Sequence, residues 1–530
     1  MLRRSLFKGG AGATLGLLAA PMLAAPALGQ NSRASTLRFV PQANLTALDP
    51  IWTTATVTAN HGYYVFDTLY SLDSQLRPQP QMAEGHTVSD DGKLWRITLR
   101  PGLKFHDGEP VRARDCVASL QRWVVRDPFG QLVARVTEEW RVVDDRSFEI
   151  RLKRPFPLLT TALGKTDGCA FIMPERLAKT DATKQVPEMI GSGPYRFLAG
   201  EYNSGSRAVY EKFADYVPRQ EAPDFATGGK VANFQRIEWH IIPDAATAAG
   251  ALVNGEIDWW ERPQVDLQPM LARARDVRRE VLDKAGRLAL ARLNCLQAPF
   301  NDPKIRRAVL ASVIQENYMR AAQGDDTSAW TDTRSIWPKR TPYYADNADL
   351  MPGDLNKARA MLKEAGYANQ KVTIINPTDF PDIGPLGQVT ADALGKIGMN
   401  VDLMESDWGT VIQRRNSREA TDKGGWSIFH TTGPAAFYGS PAMSPLIRGQ
   451  GDAGWFGWWK SDRAEALTEE WLFAADEAGQ KKAAAELGRL GLEEVATVPL
   501  GQFTVRTAFR KELTGLLEGT APYPWSVKRG

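Results

Sequence analysis

A strand–helix–strand alternation in the second half of the chain constrains the fold most. Asp354 stands where a helix N-cap belongs, Ala358, Met361, Leu362 and Ala365 share one face after it, and Gly366 closes the run. Residues 372–375 read as a strand, 388–397 as a helix closed by Gly398, and 399–404 as a second strand. Two strands joined through a helix lie parallel in one sheet with helices on its faces. Two further helices are expected over 462–474 and 480–495. The first half is patterned differently. Trp95, Ile97 and Leu99 alternate with Arg96, Thr98 and Arg100, and Pro101-Gly102 turns that strand into a short second one over 103–105. A similar pair spans 140–143 and 148–152, with a helix over 115–125 between the two hairpins. The hairpins indicate an antiparallel subdomain, and the Pro- and Gly-bearing stretch 216–229 reads as a surface loop.

Arg3, Arg4 and Lys8 precede a mild Gly/Ala/Leu stretch that ends near Ala25-Pro26-Ala27. A charged start, a short apolar core and an A-x-A site form an export signal. The paired arginines and weakly apolar core point to the twin-arginine route, with residues 1–29 as the leader. About 500 residues remain, more than one core sustains, so two large lobes are expected. Removing the three leader cations from 65 basic residues leaves parity with 62 acidic ones. That balance argues against nucleic acid or an anionic membrane as partner. Cys116, Cys169 and Cys295 form no C-x-x-C, so neither a zinc site nor a thioredoxin-like motif is expected. One disulfide with one thiol left over is compatible with export, and Cys116, spaced helically with Leu120 and Trp123, reads as a small buried hydrophobe.

Catalytic signatures are missing: there is no G-x-S-x-G elbow, no phosphate loop of the G-x-x-x-x-G-K-[ST] type and no H-E-x-x-H. The five histidines, His61, His86, His106, His240 and His430, are scattered without ligand spacing. No metal or cofactor is expected, and no enzymatic activity.

Several segments together resemble the bacterial extracellular solute-binding proteins of family 5, which serve peptide, nickel and opine ABC importers. They are Ala47-Leu48-Asp49-Pro50, Val65-Phe66-Asp67-Thr68-Leu69-Tyr70, the run from Met82-Ala83-Glu84 through Ser89-Asp90-Asp91-Gly92-Lys93 to Phe105-His106-Asp107-Gly108, then Gly191-Ser192-Gly193-Pro194-Tyr195 and Gly255-Glu256-Ile257-Asp258. Pro299-Phe300, Arg306-Arg307-Ala308-Val309 and residues 358–367 complete the series. The resemblance implies an α/β, two-lobed periplasmic-binding-protein-like fold with an extra antiparallel subdomain in the first lobe. Lobe I would span 30–285, with the subdomain about 60–185, lobe II 286–499, and a C-terminal return to lobe I 500–530. It implies a monomeric periplasmic receptor that closes over a small solute by a hinge and delivers it to an inner-membrane ABC permease. A nickel or haem carrier of the same fold and an exported hydrolase are the alternatives. His106 and Asp107 are read as structural, in a tight turn after a strand.

The site residues come from the same matching. Trp408 and Arg415 match a tryptophan–arginine pair that contacts ligand in peptide-binding relatives, and spacing alone places Trp408 beyond the strand that ends at Met404. Lys423 and Trp426 match a basic residue and tryptophan further on. Where those relatives carry an aspartate for the ligand's ammonium, this chain has Phe429, followed by His430, Thr431 and Thr432. The expected solute is therefore acidic or neutral: opine-like, sugar-derived, or a blocked peptide, unless an acid such as Glu261 substitutes. Asn44, Leu45 and Thr46 are expected along a cleft-lining strand. Of Trp259 and Trp260, Trp260 is assigned to the cleft, since neighbouring strand residues face opposite ways. From the aromatic cluster Phe437, Tyr438, Trp455, Phe456, Trp458 and Trp459, the candidates are Tyr438 and Trp455.

Overall fold

The computed structural model describes residues 34–474 and 476–530, so the leader lies outside the described residues. Two large sheets organise the chain. The first has seven strands in the spatial order Tyr195–Phe197, Arg207–Lys212, Arg236–His240, Thr36–Val40, Trp259–Trp260, Thr507–Arg510 and Val277–Glu280. Thr36–Val40 is parallel to both of its neighbours. The second has six strands in the order Trp330–Thr331, Val498–Phe503, Arg287–Leu293, Ile428–Pro434, Lys371–Pro377 and Asn400–Ser406. Its last three strands are parallel, and Arg287–Leu293 is antiparallel to Ile428–Pro434 and to Val498–Phe503. The chain passes from one sheet to the other through residues 281–286 and returns through residues 504–506. Val498–Phe503 belongs to the second sheet along its whole length.

The strand–helix–strand pattern forms as its residues dictate. Asp354 accepts hydrogen bonds from the amides of Asn356 and Lys357 and starts the helix Leu355–Glu364, whose Ala358 and Leu362 are buried. Gly366 follows at φ +72°, a conformation open to glycine. Lys371–Pro377 and Asn400–Ser406 are joined by the helix Gly384–Lys396.

The first half contains the antiparallel subdomain, a four-stranded sheet in the order Ala83–Val88, Leu94–Leu99, Ser147–Leu152 and Thr137–Val142. The helix Ala113–Arg126 packs against it, with Cys116, Leu120 and Trp123 buried. One sequence expectation fails here. Residues 103–105 are not a strand; they lie in a tight loop that bonds to itself, Phe105 N–H to the Glu109 carbonyl and Val111 N–H to the Leu103 carbonyl. Pro110 lacks an amide to extend the ladder, and Gly102 and Gly108 at positive φ fold the segment back. His106 is buried there, its Nε2 3.0 Å from the Gly193 carbonyl, and burial pushes it down to about 4. The cysteines Cys116, Cys169 and Cys295 are all free.

Several of the quoted motifs are structural clamps. In Ala47-Leu48-Asp49-Pro50, Asp49 takes a two-pronged ion pair from Arg122, at 3.2 and 2.7 Å, with both side chains almost fully buried. In Val65-Phe66-Asp67-Thr68-Leu69-Tyr70, Asp67 pairs with buried Lys230 at 2.7 Å. In Gly191-Ser192-Gly193, a Cβ on Gly191 would stand 2.0 Å from the Val65 carbonyl oxygen, so only glycine fits. Removing one partner of a buried pair leaves an uncompensated charge, so Asp49→Ala is expected to cost about 3–5 kcal/mol. Equilibrium denaturation of the variant measures that loss, and a cost below about 1 kcal/mol would contradict it.

Candidate interlobe binding site

The two lobes meet across a cleft that lies beyond the carboxyl ends of the parallel strands of both sheets, the usual ligand position in open α/β sheets. From the second lobe, Lys371–Pro377 runs out into Asp379 and Phe380. Asn400–Ser406 runs out into Asp407, which accepts from the Thr410 amide and caps the helix Trp408–Arg414. That cap places Trp408 at the helix start and Arg415 just past its end. The Trp408 amide donates to Asp379 at 2.7 Å, and its ring packs edge-on to Phe380. From the first lobe, the segment after Thr36–Val40 supplies Gln42, Thr54 and Thr56.

The central cavity is lined by Gln42, Thr54, Thr56 and Asp167 on one side and by Trp408, Arg415, Thr431, Thr432, Tyr438 and Trp455 on the other. It is tight, about 20 Å³. Through Thr54, Phe437 and Trp455 it continues into a chamber of about 420 Å³ walled by Trp52, Trp123, Trp455 and Trp458, with Arg126 and Arg418 at its edges. Through Gln42 and Phe380 it reaches a recess of about 130 Å³ that includes Asn44 and Trp260. The lobes touch on both sides of this run. Arg262 pairs with Asp382 at 3.3 Å; opposite, Arg448 donates to the Pro128 carbonyl at 2.9 Å and Gln450 to Gln131 at 2.6 Å.

The cavity is electrostatically unfinished. Arg415 is 2 % exposed, and its guanidinium lies 4.5 Å from the Phe456 ring centroid. One nitrogen reaches Thr54 Oγ1 at 3.3 Å, while Nε has no partner among the described residues. Burial pushes this arginine down to about 10. Arg287, bonded to the Thr432 carbonyl at 3.3 Å, is depressed in the same way and likewise has an unpartnered Nε. Gln42 Oε1 and Thr432 Oγ1 are buried without partners among the described residues too. Isolated buried polar and charged groups are costly, so such a cluster is a place for a polar guest. Tyr438, its hydroxyl pushed up by burial, closes the wall against Gly433, where a Cβ would stand 2.3 Å from that hydroxyl.

Of the residues singled out by sequence, Trp408, Arg415, Thr431, Tyr438 and Trp455 come together around the central cavity, and Asn44 and Trp260 line the neighbouring recess. Thr46 packs at the lobe contact, its methyl beside Gly409 and its hydroxyl unpartnered. The others do not line the cavity. Leu45 is in the core, 1 % exposed, because its segment is not a strand and its carbonyl is held by the Tyr202 hydroxyl. Lys423 is exposed, on a short 3-10 turn that Gly424 at φ +88° redirects. Trp426 is fully buried and serves the site from behind, its Nε1 donating to the Arg415 carbonyl at 3.1 Å. Phe429 is fully buried under Trp455 and Phe456. His430 points through the opposite face of the strand to Thr390 Oγ1, 2.7 Å away on the covering helix, and burial pushes it down to about 3. Among the described residues no group of three His, Cys, Asp or Glu side chains is placed to hold a metal. Sequence reasoning missed Gln42, Thr54 and above all Asp167, whose only local signal is a Thr166-Asp167-Gly168 turn.

Two α/β lobes joined by crossing segments, with an unsatisfied polar cavity between them, define a two-lobed solute-binding protein. The chain belongs to the bacterial extracellular solute-binding proteins, family 5: residues 77–454 match the model described as the middle part of that family. It is 38 % identical over 540 residues to a probable peptide ABC transporter periplasmic-binding protein of Sinorhizobium fredii, with 99 % of each chain covered. It is 28 % identical over 419 residues to the glutathione-binding protein GsiB of Salmonella typhi, covering 77 % of this chain and 76 % of that one. In fold it matches AgaA from A. tumefaciens R10, solved with agropinic acid, at TM-score 0.78 and 19 % identity, covering 93 % of this chain and 99 % of that one. It matches a dipeptide-binding protein from Pseudoalteromonas sp. SM9913, solved with Met-Leu, at TM-score 0.78 and 20 % identity, covering 93 % and 100 %. The family and these relatives are solute-binding transport proteins.

Proposed function

We propose that this protein is the exported receptor of an ABC importer and captures a carboxylate-bearing solute of the peptide or opine class between its lobes. The observation that carries this reading is Arg415, a buried guanidinium facing the interlobe cavity with no carboxylate among the described residues to pair it. A carboxylate on the guest takes that place in a water-poor site, where charge-assisted hydrogen bonds are strongest. The wider chamber gives its remaining atoms aromatic walls. The central cavity is too tight for a solute to pass while the lobes touch, so the guest enters with the lobes apart and closure follows by hinge motion at 281–286 and 504–506. On this reading lobe I is the first sheet with its subdomain and the C-terminal segment, and lobe II is the second sheet with its helices. The protein acts as a monomer outside the cytoplasm and hands its solute, unaltered, to a membrane permease.

Titrating peptides and amine-free acids against the protein tests this. A carboxylate-bearing solute is expected to raise the melting temperature by several degrees and to be recovered chemically intact. Conversion of the solute, or no response to any carboxylate, would overturn the reading. The leader makes a separate prediction: Arg3→Lys with Arg4→Lys is expected to retain the precursor in the cytoplasm, as fractionation and immunoblotting will show.

A further inference from the structure

The strand that passes the cavity, Ile428–Pro434, offers no carboxylate, yet the cavity has one. Asp167 comes from the loop between the helix Leu159–Gly164 and the strand Phe171–Ile172, and among the described residues it is the one acid lining the central cavity. We propose that Asp167 is the counter-ion for a protonated amine on the solute, so that the cleft selects amino-carboxylates by holding the ammonium at Asp167 and the carboxylate at Arg415. This rests on the reading of the cleft as the solute site and names its substrate class. It is the alternative to the expectation of an acidic or neutral solute, which followed from the lack of a carboxylate over residues 429–432 and from the presence of Arg415 and Lys423.

Three observations carry the assignment. First, the loop is pinned on both sides of Asp167. The Tyr63 hydroxyl donates to the Thr166 carbonyl at 2.7 Å, and the Trp123 indole donates to the Gly168 carbonyl at 2.8 Å. Gly168 sits at φ +62°, where a Cβ would come within 2.6 Å of Asp127. A carboxylate fixed before the guest arrives costs little ordering on binding. Second, Asp167 has no ion-pair partner among the described residues. Neighbouring Lys165 is claimed by Asp127 at 2.5 Å. The competing acids are engaged: Glu261 accepts from the Gln42 amide and the Asn60 side chain, Asp379 from the Trp408 amide, and Asp382 pairs with Arg262. Third, Asp167 belongs to the first lobe and Arg415 to the second. A guest with both charges ties the lobes together, whereas a guest with one charge satisfies only one wall. Burial pushes the Asp167 carboxyl up to about 6 even though Lys165 and Arg287 pull it down.

The test is competitive capture from a synthetic library of lysine-free di- and tripeptides, supplied as free amines and as N-acetyl forms together with amine-free acids, and read by mass spectrometry. Wild-type protein is expected to enrich the free-amine forms at least tenfold over their acetylated twins. In Asp167→Asn, and in Asp167→Ser as a second variant, that ratio is expected to fall close to one while capture of carboxylates persists. Equal capture of free and acetylated forms by the wild type, or an unchanged ratio in a folded variant, would overturn the assignment of Asp167 and leave the reading of the cleft standing. Capture of no peptide and no acid would overturn that reading, and the assignment with it.

Discussion

Arg415→Met is expected to abolish solute capture and, at the same time, to stabilise the unliganded protein. The arginine is 2 % exposed, and among the described residues its only side-chain hydrogen bond runs to Thr54 at 3.3 Å. Taking an ion out of water costs several kcal/mol unless it is paired, and a well-packed apolar side chain of similar volume avoids that cost. The variant should therefore melt higher, by about 1–3 kcal/mol in unfolding free energy. Affinity should fall at least about 100-fold, because a buried charge-assisted contact contributes about 3–5 kcal/mol when only one partner is removed. Calorimetric titration with whatever solute the wild type captures measures the second effect, and scanning calorimetry of the unliganded variant measures the first. A variant that binds like the wild type would remove Arg415 from the site. Methionine also keeps the contact with the Phe456 ring that the guanidinium now makes, so lost packing would not account for the loss of binding.

Asp167→Asn makes the second large prediction, and its sign follows from the raised carboxyl. Burial lifts Asp167 from 3.8 to about 6; Lys165 and Arg287 pull it down and Asp127 pushes it up. The folded protein thus holds this proton more tightly than the unfolded chain between about pH 4 and 6. A group of that kind makes stability fall as pH rises through the window, and the deficit is complete above pH 6. At about 1.4 kcal/mol per unit, the deficit approaches 3 kcal/mol. Asparagine does not titrate, so the difference in unfolding free energy between Asp167→Asn and wild type should be near zero at pH 4 and grow to about 2–3 kcal/mol in the variant's favour by pH 7. Taking the difference removes the other titrating groups. Asp283, also raised to about 6 by burial, acts in the same direction, while His61 and His430, pushed down to about 3, act oppositely. A difference that stays flat across this range would show that Asp167 is not desolvated. Together the two variants describe a cleft that is less stable than its residues permit, because one cation and one anion are held apart in readiness for a guest.

Part of this site could be read along the chain, and the reason is local. Trp408 follows a strand that ends at the cleft, and the Asp407 cap fixes the first turn of its helix, so seven residues later Arg415 returns to the same side. Strand parity was harder. Period-two alternation says that Phe429 and His430 face opposite ways, but the sheet's surroundings decide which face meets the cleft; Thr390, on the covering helix, claims His430. Lys423 has the right spacing from Trp426 but sits on a turn that Gly424 redirects into solvent.

The amino-acid sequence by itself determined local elements: Asp354, Gly366 and the apolar face between them dictate one helix. The clamps of Asp49 on Arg122 and of Gly191 beside the Val65 carbonyl join segments far apart in the chain and come from the tertiary structure. Only the tertiary structure decided which charges stay unpaired. Asp167 is an ordinary turn aspartate until Tyr63, Trp123 and Asp127, brought from elsewhere in the chain, pin its loop against a cavity whose far wall carries Arg415. Electrostatics inside a fold depends on burial and on partners across space, and neither quantity is local in sequence.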